Sequence, residues 1–447
     1  MREGSLDAPT RHPIPWKEDD FLDEQKLDAE LRRVFDICHG CRRCFNLCDS
    51  MPRLFDLVDE SDTGELDSVD SKDFKPIIDA CTLCDMCFLT KCPYVPPHEF
   101  NLDFPHLMLR ARAVQLKNGT NDKQAARLTE MDKNGPLATS IAGLANWASK
   151  RKNALTRPVM QAVGGIHSDA ELPQFSAQTC QKKAAQNPVE VNKQAPAFGR
   201  KAVIYASCFG EYNAPEIVLA TRGVLAKNGV ETEIVYPECC GMPQLEQGDI
   251  ARVSVKAKNI SATMKPWIEK GYDIVVPVAS CSLMLKFEWP LIETDDENVK
   301  LLSQSVYDAT EYVVAMAKKE GLASGLGPVE GGVTAHISCH SRAQNMGRKA
   351  EELLKLIPET NTTVIERCSG HGGSWGVMKE NFEVGMKVGG PVFRDAAKAG
   401  NKYVVSECPL ARDQIAQGLE RKDAPMDSRA KPLRHPIQVM ALAYGLD

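Results

Sequence analysis

The stretch Glu233-Ile234-Val235-Tyr236-Pro237-Glu238-Cys239-Cys240-Gly241 decides how the rear half of this 447-residue chain folds. β-Branched and aromatic residues favour an extended strand. The strand runs into two adjacent thiols, and Gly241 supplies the backbone freedom for a tight turn that lets both face one site. Five more apolar runs end at or just before a cysteine: 202–205 before Cys208, 274–278 before Cys281, 333–337 before Cys339, 363–365 before Cys368, and 403–405 before Cys408. The cysteine separations are 31 and 42 residues in the first set and 29 and 40 in the second. Three markers in one order at nearly equal spacing mark an internal duplication.

Helical patterns lie between the strands, at 215–227, 348–356 and 391–399. Strand alternating with helix implies right-handed crossovers and a parallel sheet in each repeat. Ligands of such sheets sit beyond the carboxyl ends of the strands, where all these cysteines fall. Within a repeat they can converge on one crevice, and amide N–H groups at the following helix starts would stabilise a negatively charged cluster. The first repeat offers Cys208, Cys239, Cys240 and Cys281. That is a full set for an iron–sulfur cluster, against buried structural thiols or zinc. The second offers Cys339, Cys368 and Cys408, with Ser369 in the place of Cys240. His340 and His371 are near enough in sequence to add an imidazole, as in Rieske centres, or simply to bond to turns. A three-cysteine site could instead keep an open iron position and act as the catalytic end.

Towards the N-terminus two denser runs stand out, Cys38-x2-Cys41-x2-Cys44-x3-Cys48 and Cys81-x2-Cys84-x2-Cys87-x4-Cys92-Pro93. Three thiolates at three-residue steps plus a fourth form the pattern that wraps a [4Fe–4S] cluster, and in two-cluster ferredoxins the fourth cysteine serves the other cluster. Cys38, Cys41, Cys44 and Cys92 are therefore expected to share one cluster, and Cys81, Cys84, Cys87 and Cys48 the other. Zinc, which favours C-x2–4-C pairs, is the competing reading. The second run has one residue more before its last cysteine than the ferredoxin pattern. Between the runs, 56–73 is strongly acidic and reads as a solvated loop or as a docking surface for a redox partner.

Sixteen cysteines in a long chain with a polar N-terminus point to thiolates committed to metal in a reducing cytoplasm. The net charge of −6 argues against nucleic acid as a partner. No apolar run is long enough to span a bilayer, so any membrane contact would be peripheral, on the inner face. The expected divisions are a polar acidic arm (1–30), a helical two-[4Fe–4S] ferredoxin-type domain (31–116), a helical linker (117–197), and two repeats (198–325 and 326–447). Short helices are expected at 28–35 and 104–116. In the linker, 137–155 reads as one helix with Leu137, Ile141, Leu144 and Trp147 on an apolar face, followed by Lys150, Arg151, Lys152 and Arg157 and ended by Pro158. Such a helix packs across two domains or lies on an anionic membrane, and packing is the preferred reading. Residues 165–197 read as an extended connector with Cys180 as a spare thiol.

The paired runs at 38–92, the cysteine repeats at 208–281 and 339–408, and the segment Glu366-Arg-Cys-Ser-Gly-His371 resemble the heterodisulfide-reductase-related, CCG-domain iron–sulfur proteins. The D subunit of heterodisulfide reductase and the C subunit of anaerobic glycerol-3-phosphate dehydrogenase are members. The resemblance implies electron transfer between a flavin or iron–sulfur partner and a terminal acceptor, either a disulfide or membrane menaquinone. Repeats that bind a noncubane cluster end in Cys-x-x-Cys, whereas Val278 and Val405 stand three residues before Cys281 and Cys408 here. The expected function is an electron-transfer subunit of an oxidoreductase complex, with two [4Fe–4S] clusters and one or two more in the repeats. No Gly-x-Gly-x-x-Gly follows a strand, so the flavin belongs to a partner protein. A self-contained disulfide or quinone reductase, with its active site in the repeats, is the main alternative, and a cluster-based sensor a second. The sequence names no catalytic residue and no direction of electron flow.

Overall fold

Strands β1 (Lys201–Tyr205), β2 (Glu231–Val235), β3 (Asp273–Val276) and β4 (Val306–Asp308) form one sheet in the order β2-β1-β3-β4. Strands β5 (Val333–His336), β6 (Thr362–Ile365) and β7 (Tyr403–Ser406) form another in the order β6-β5-β7. The computed structural model describes residues 7–424, 426–427 and 432–446, so residues 1–6 of the expected arm lie outside the described residues, as do a few positions in the second repeat. Every pairing is parallel: Ile204 lies opposite Ile234 and Val275, and Ala335 opposite Val364 and Val405. Because the first strand of each repeat is central, the carboxyl ends of its three cysteine-bearing strands stand side by side. The fold is mixed α/β with two parallel sheets, as the alternation implies. Strand β4 escaped the sequence reading because three residues carry no periodicity. Its last residue, Asp308, opens the helix Ala309–Lys319 through a capping box with Glu311.

The helices Pro215–Lys227 and Lys349–Lys355 fall where the pattern places them. The helix expected at 391–399 is only the rear half of Phe382–Ala399, with Pro391 inside it. Gly385, Gly389 and Gly390 hide the front half, since glycine is a poor helix former. Gly385 and Gly389 are there for packing: a Cβ on either would press on the backbone of Gly370 or Ser369.

At the front, the helix Glu24–Cys41 is much longer than 28–35. Asp23 caps it by accepting from the Lys26 amide, Leu27, Leu31, Val34 and Phe35 bury one face, and it ends at Arg42 in the left-handed conformation. The acidic interval is a loop only in part. Its start belongs to the helix Ser50–Asp59, which exposes Asp56 and Asp59 and buries Met51, Leu54, Phe55 and Val58. Helix Phe104–Lys117 follows the second cysteine run. The front helices share one apolar core with the first repeat, running from Phe35 and Met108 to Ile274 and Trp289. A second core joins the two sheets through Ile204, Val275, Ala335 and Val405.

The arm is not free where it is described. The Ile14 amide donates to the Leu291 carbonyl (2.9 Å), Trp16 Nε1 donates to the Ile292 carbonyl (2.9 Å), and Arg11 pairs with Asp85, Asp103 and Glu288. In the linker the single helix over 137–155 does not form. Met131–Ser140 and Ala142–Ser149 replace it, and Pro158 stands in the first turn of the next helix, Arg157–Gly164, instead of ending the previous one. The preferred reading of a helix buried between domains is also overturned. Helix Met131–Ser140 packs through Gly135, against the Tyr212 ring, and Thr139, which turns the apolar stripe outward. Connector 165–197 contains the helix Cys180–Gln186, with Cys180 fully buried in the core of the first repeat.

Candidate metal centres

None of the sixteen cysteines is in a disulfide, and fifteen gather into four groups. The first surrounds a small cavity of about 30 Å³ lined by Cys38, Cys41, Cys44 and Cys92 together with Met51, Phe55 and Leu102. Cys38 and Cys41 lie one turn apart at the end of the long helix, and the left-handed Arg42 swings the chain round to Cys44. Burial, then the neighbouring Cys92, Cys44 and Cys41, push the Cys38 thiol well up. The residue that lengthens the second run is absorbed by a π turn over Cys87–Lys91, closed by the Cys92 amide donating to the Cys87 carbonyl at 2.8 Å. Such turns recur at functional sites.

The second group is Cys81, Cys84, Cys87 and Cys48. Left-handed Leu83 (φ 47) and Asp85 (φ 62) coil the chain between its thiols. Burial and Cys81 push Cys48 up to about 12, and burial with Cys84, Cys81, Cys48 and Cys44 raises Cys87 further. Cys44 belongs to the first group, so the two groups are neighbours. Arg112 donates to the carbonyls of Ile78 and Cys81 and of Glu246, tying the run to the first repeat.

In the first repeat Cys239 Sγ lies 3.7 Å from Cys208 Sγ, and Cys240 Sγ 3.2 Å from Cys281 Sγ. Gly241 adopts φ 85, the left-handed turn its position requires, so that both thiols point inward. Sulfur hydrogen bonds from Cys208 and Cys240 hold the Cys239 thiol below its ordinary range. Other parts of the chain complete the surroundings. The Cys239 amide donates to Asp132 Oδ1 (2.8 Å), Asp132 also pairs with the buried Lys256, and Trp289 Nε1 donates to the Cys240 carbonyl (3.2 Å). Asp132 comes from the linker, where no local pattern marks it.

The second repeat brings Cys339, Cys368 and Cys408 together, burial and then the latter two raising the Cys339 thiol. Its two histidines part ways. His340 Nε2 faces the Leu83 carbonyl at 3.4 Å, whereas His371 Nε2 is buried and without a partner. This group also lies among the others. Cys84 has Cys339 and Cys368 for neighbours as well as Cys48, and Cys408 has Cys281. The two sheets meet at their carboxyl ends, where the Ala279 amide donates to the Glu407 carbonyl at 3.2 Å.

Among the described residues, no three His, Cys, Asp or Glu side chains close on a point as a single ion requires. A lone zinc would draw four sulfurs to about 2.3 Å. Thiols rimming a cavity suit a polynuclear cluster better, and thiols raised by burial would surrender their protons on binding metal.

The CCG cysteine-rich domain family matches this chain twice, at residues 202–286 and 333–414. The chain carries two CCG cysteine-rich domains. Its similarity to other proteins extends beyond the repeats. The C subunit of anaerobic glycerol-3-phosphate dehydrogenase from Escherichia coli (strain K12) is 26% identical over 321 residues, 71% of this chain and 76% of that one. Lactate utilization protein A of Bacillus pumilus (strain SAFR-032) is 28% identical over 262 residues, 55% of this chain and 99% of that one. The resemblance read from the cysteine pattern therefore holds over the two repeats.

Proposed function

We propose that this CCG protein is the iron–sulfur electron-transfer subunit of an oxidoreductase complex. The carrying observation is the unbroken series of thiol groups: Cys44 beside Cys87, Cys84 beside Cys339 and Cys368, and Cys408 beside Cys281. Cys38, Cys41, Cys44 and Cys92 would hold one [4Fe–4S] cluster, Cys81, Cys84, Cys87 and Cys48 the second, and the CCG repeats one or two more. Such clusters supply one-electron carriage at potentials set by charge, hydrogen bonds to sulfur and exposure. The protein's part is to shield the thiols in part from water, Cys368 excepted, and to hold neighbouring groups side by side. Similarity to a dehydrogenase subunit supports the oxidoreductase setting, in which a flavoprotein is the proposed partner. Phe45, next to Cys44 and 57% exposed, is the apolar surface beside the first group that suits such a partner.

Anaerobic iron and sulfide analysis with electron paramagnetic resonance tests this reading. About eight irons would fill the front groups alone, and about twelve one repeat as well. A colourless protein holding zinc or nothing would overturn it.

A cavity of about 740 Å³ suits the acceptor. It opens between Cys81 of the second group and Gly372, Ser374 and Trp375 of the second repeat, with Arg112 and Glu246 in its wall. Peripheral membrane contact has its own support. No helix among the described residues is long and apolar enough to cross a membrane. Yet Leu137, Ile141, Leu144, Trp147, Leu155 and Val159 are all exposed. Of the expected cations, Arg157 is buried on backbone carbonyls and Arg151 is paired with Glu420, which leaves Lys150 and Lys152 free to face anionic headgroups. Sedimentation with vesicles containing anionic lipid should be strong for the native protein and at least several-fold weaker for the double variant Leu144→Glu, Trp147→Glu. Equal sedimentation of the two removes this contact.

A further inference from the structure

The second CCG repeat has one thiol fewer than the first, and Ser369, where the first has Cys240, is a weak donor. The loop after it is built around the next residue but one. The Gly370 amide donates to Cys368 Sγ at 3.4 Å, and Gly370, Gly372 and Gly373 all take positive φ. A Cβ on Gly376 would overlap the His371 carbonyl, and one on Gly370 the Gly385 carbonyl. Backbone therefore closes on His371 from both sides, so its position is fixed by packing and not by a side-chain partner.

The imidazole lies near groups that border the thiols. Asp413, which also acts on Cys408, and His340, the neighbour of Cys339 in sequence, are the charged groups close enough to act on it. Asp413 is itself taken by Arg412 and Arg434. Gly372, Ser374 and Trp375 line the large cavity and His371 does not. A buried ring nitrogen without a hydrogen bond is costly to leave so, and such a group in a native structure calls for a role. The other histidine nearby, His340, is already turned to the Leu83 carbonyl.

We propose that His371 Nε2 is the fourth donor of the second repeat, completing a Cys3His set with Cys339, Cys368 and Cys408. This rests on the reading of the chain as an iron–sulfur protein, and deepens it. Replacing one thiolate by a neutral imidazole removes a negative charge from the site, and such replacement raises the potential of Rieske centres. The second repeat would then be the most oxidising position in the series.

The test uses the full protein, isolated without oxygen and labelled with 15N-histidine. Pulsed electron paramagnetic resonance on the reduced protein is expected to show strong coupling to a histidine nitrogen. That coupling should vanish in His371→Ala and persist in His340→Ala. His371→Cys should restore a cluster with no nitrogen coupling and a lower midpoint potential, while the signals of the front clusters stay unchanged in every variant. The proposal fails if coupling is absent from the native protein, if it survives His371→Ala, or if Cys339→Ser leaves the iron content as it was. A protein without iron would instead sink the broader reading, so the two failures are distinguishable.

Discussion

Arg11 shows how much one side chain outside any motif can carry. Its guanidinium, only 14% exposed, donates to Asp85, Asp103 and Glu288 and lies over the Phe88 ring. His106 and Arg11 together hold the Asp103 carboxyl, against its burial, down at about 2. Arg11→Ala strands the buried Asp85 and Glu288 and the half-buried Asp103, and breaking such a network costs about 3–5 kcal/mol. A loss of unfolding free energy of that size, read by denaturant titration, is the expected outcome. Glu246 is the opposite case. Burial lifts its carboxyl from 4.5 to about 7, against the pull of Arg112. Between those values the folded protein binds more protons than the unfolded chain, so stability falls as pH rises and the loss is complete above the folded value. Glu246→Gln should therefore gain up to about 3 kcal/mol relative to the native protein at pH 8 and nothing at pH 4. Denaturant titration at both values checks it, and an equal effect at the two would refute it. Neither residue was legible beforehand. Cysteines announce themselves by spacing, whereas Arg11, Asp132 and Glu246 meet their partners only through tertiary folding.

Among the elements, strands were the most legible. Parallel strands buried on both faces read as continuous apolar runs, and six of seven described strands were visible in that way. Helices were readable where alanine and leucine dominate, as in Pro215–Lys227. They were misread where packing had chosen glycine, as in Phe382–Ala399, or where a surface stripe was left outside, as in Met131–Ser140. The π turn at Cys87 explains why an extra residue in the second run moves no thiol out of its group. The loop from Cys368 to Met378 depends on glycine more than any other. Gly370→Ala puts a side chain at φ 75 and into the Gly385 carbonyl. A loss of about 3 kcal/mol or more is expected from backbone strain and overlap combined. Urea titration reads the loss, and a variant within about 1 kcal/mol of the native protein would show that the loop can lift off the helix.

For the molecule as a whole, the proposed function makes the thiol groups links in series. Cys84→Ser should disturb the second group and, through its neighbours Cys339 and Cys368, the environment of the second repeat. Partner-driven reduction of any centre beyond the lesion should slow at least tenfold, while direct reduction by dithionite stays intact. Stopped-flow spectroscopy of the two reductions separates them, and equal slowing of both would argue for simple misfolding. Metal also couples to protons here. Thiols raised by burial must ionise to bind iron, so reconstitution should release protons and be weaker at pH 6 than at pH 8.

The apolar interior shared by the front helices and the first sheet has a practical side. A fragment cut before the first strand would lay bare the faces of Phe35 and Met108 that now meet Ile274 and Trp289, and would clump instead of behaving as a small ferredoxin. Those who would borrow the front section as a stand-alone electron carrier must take the first sheet along with it.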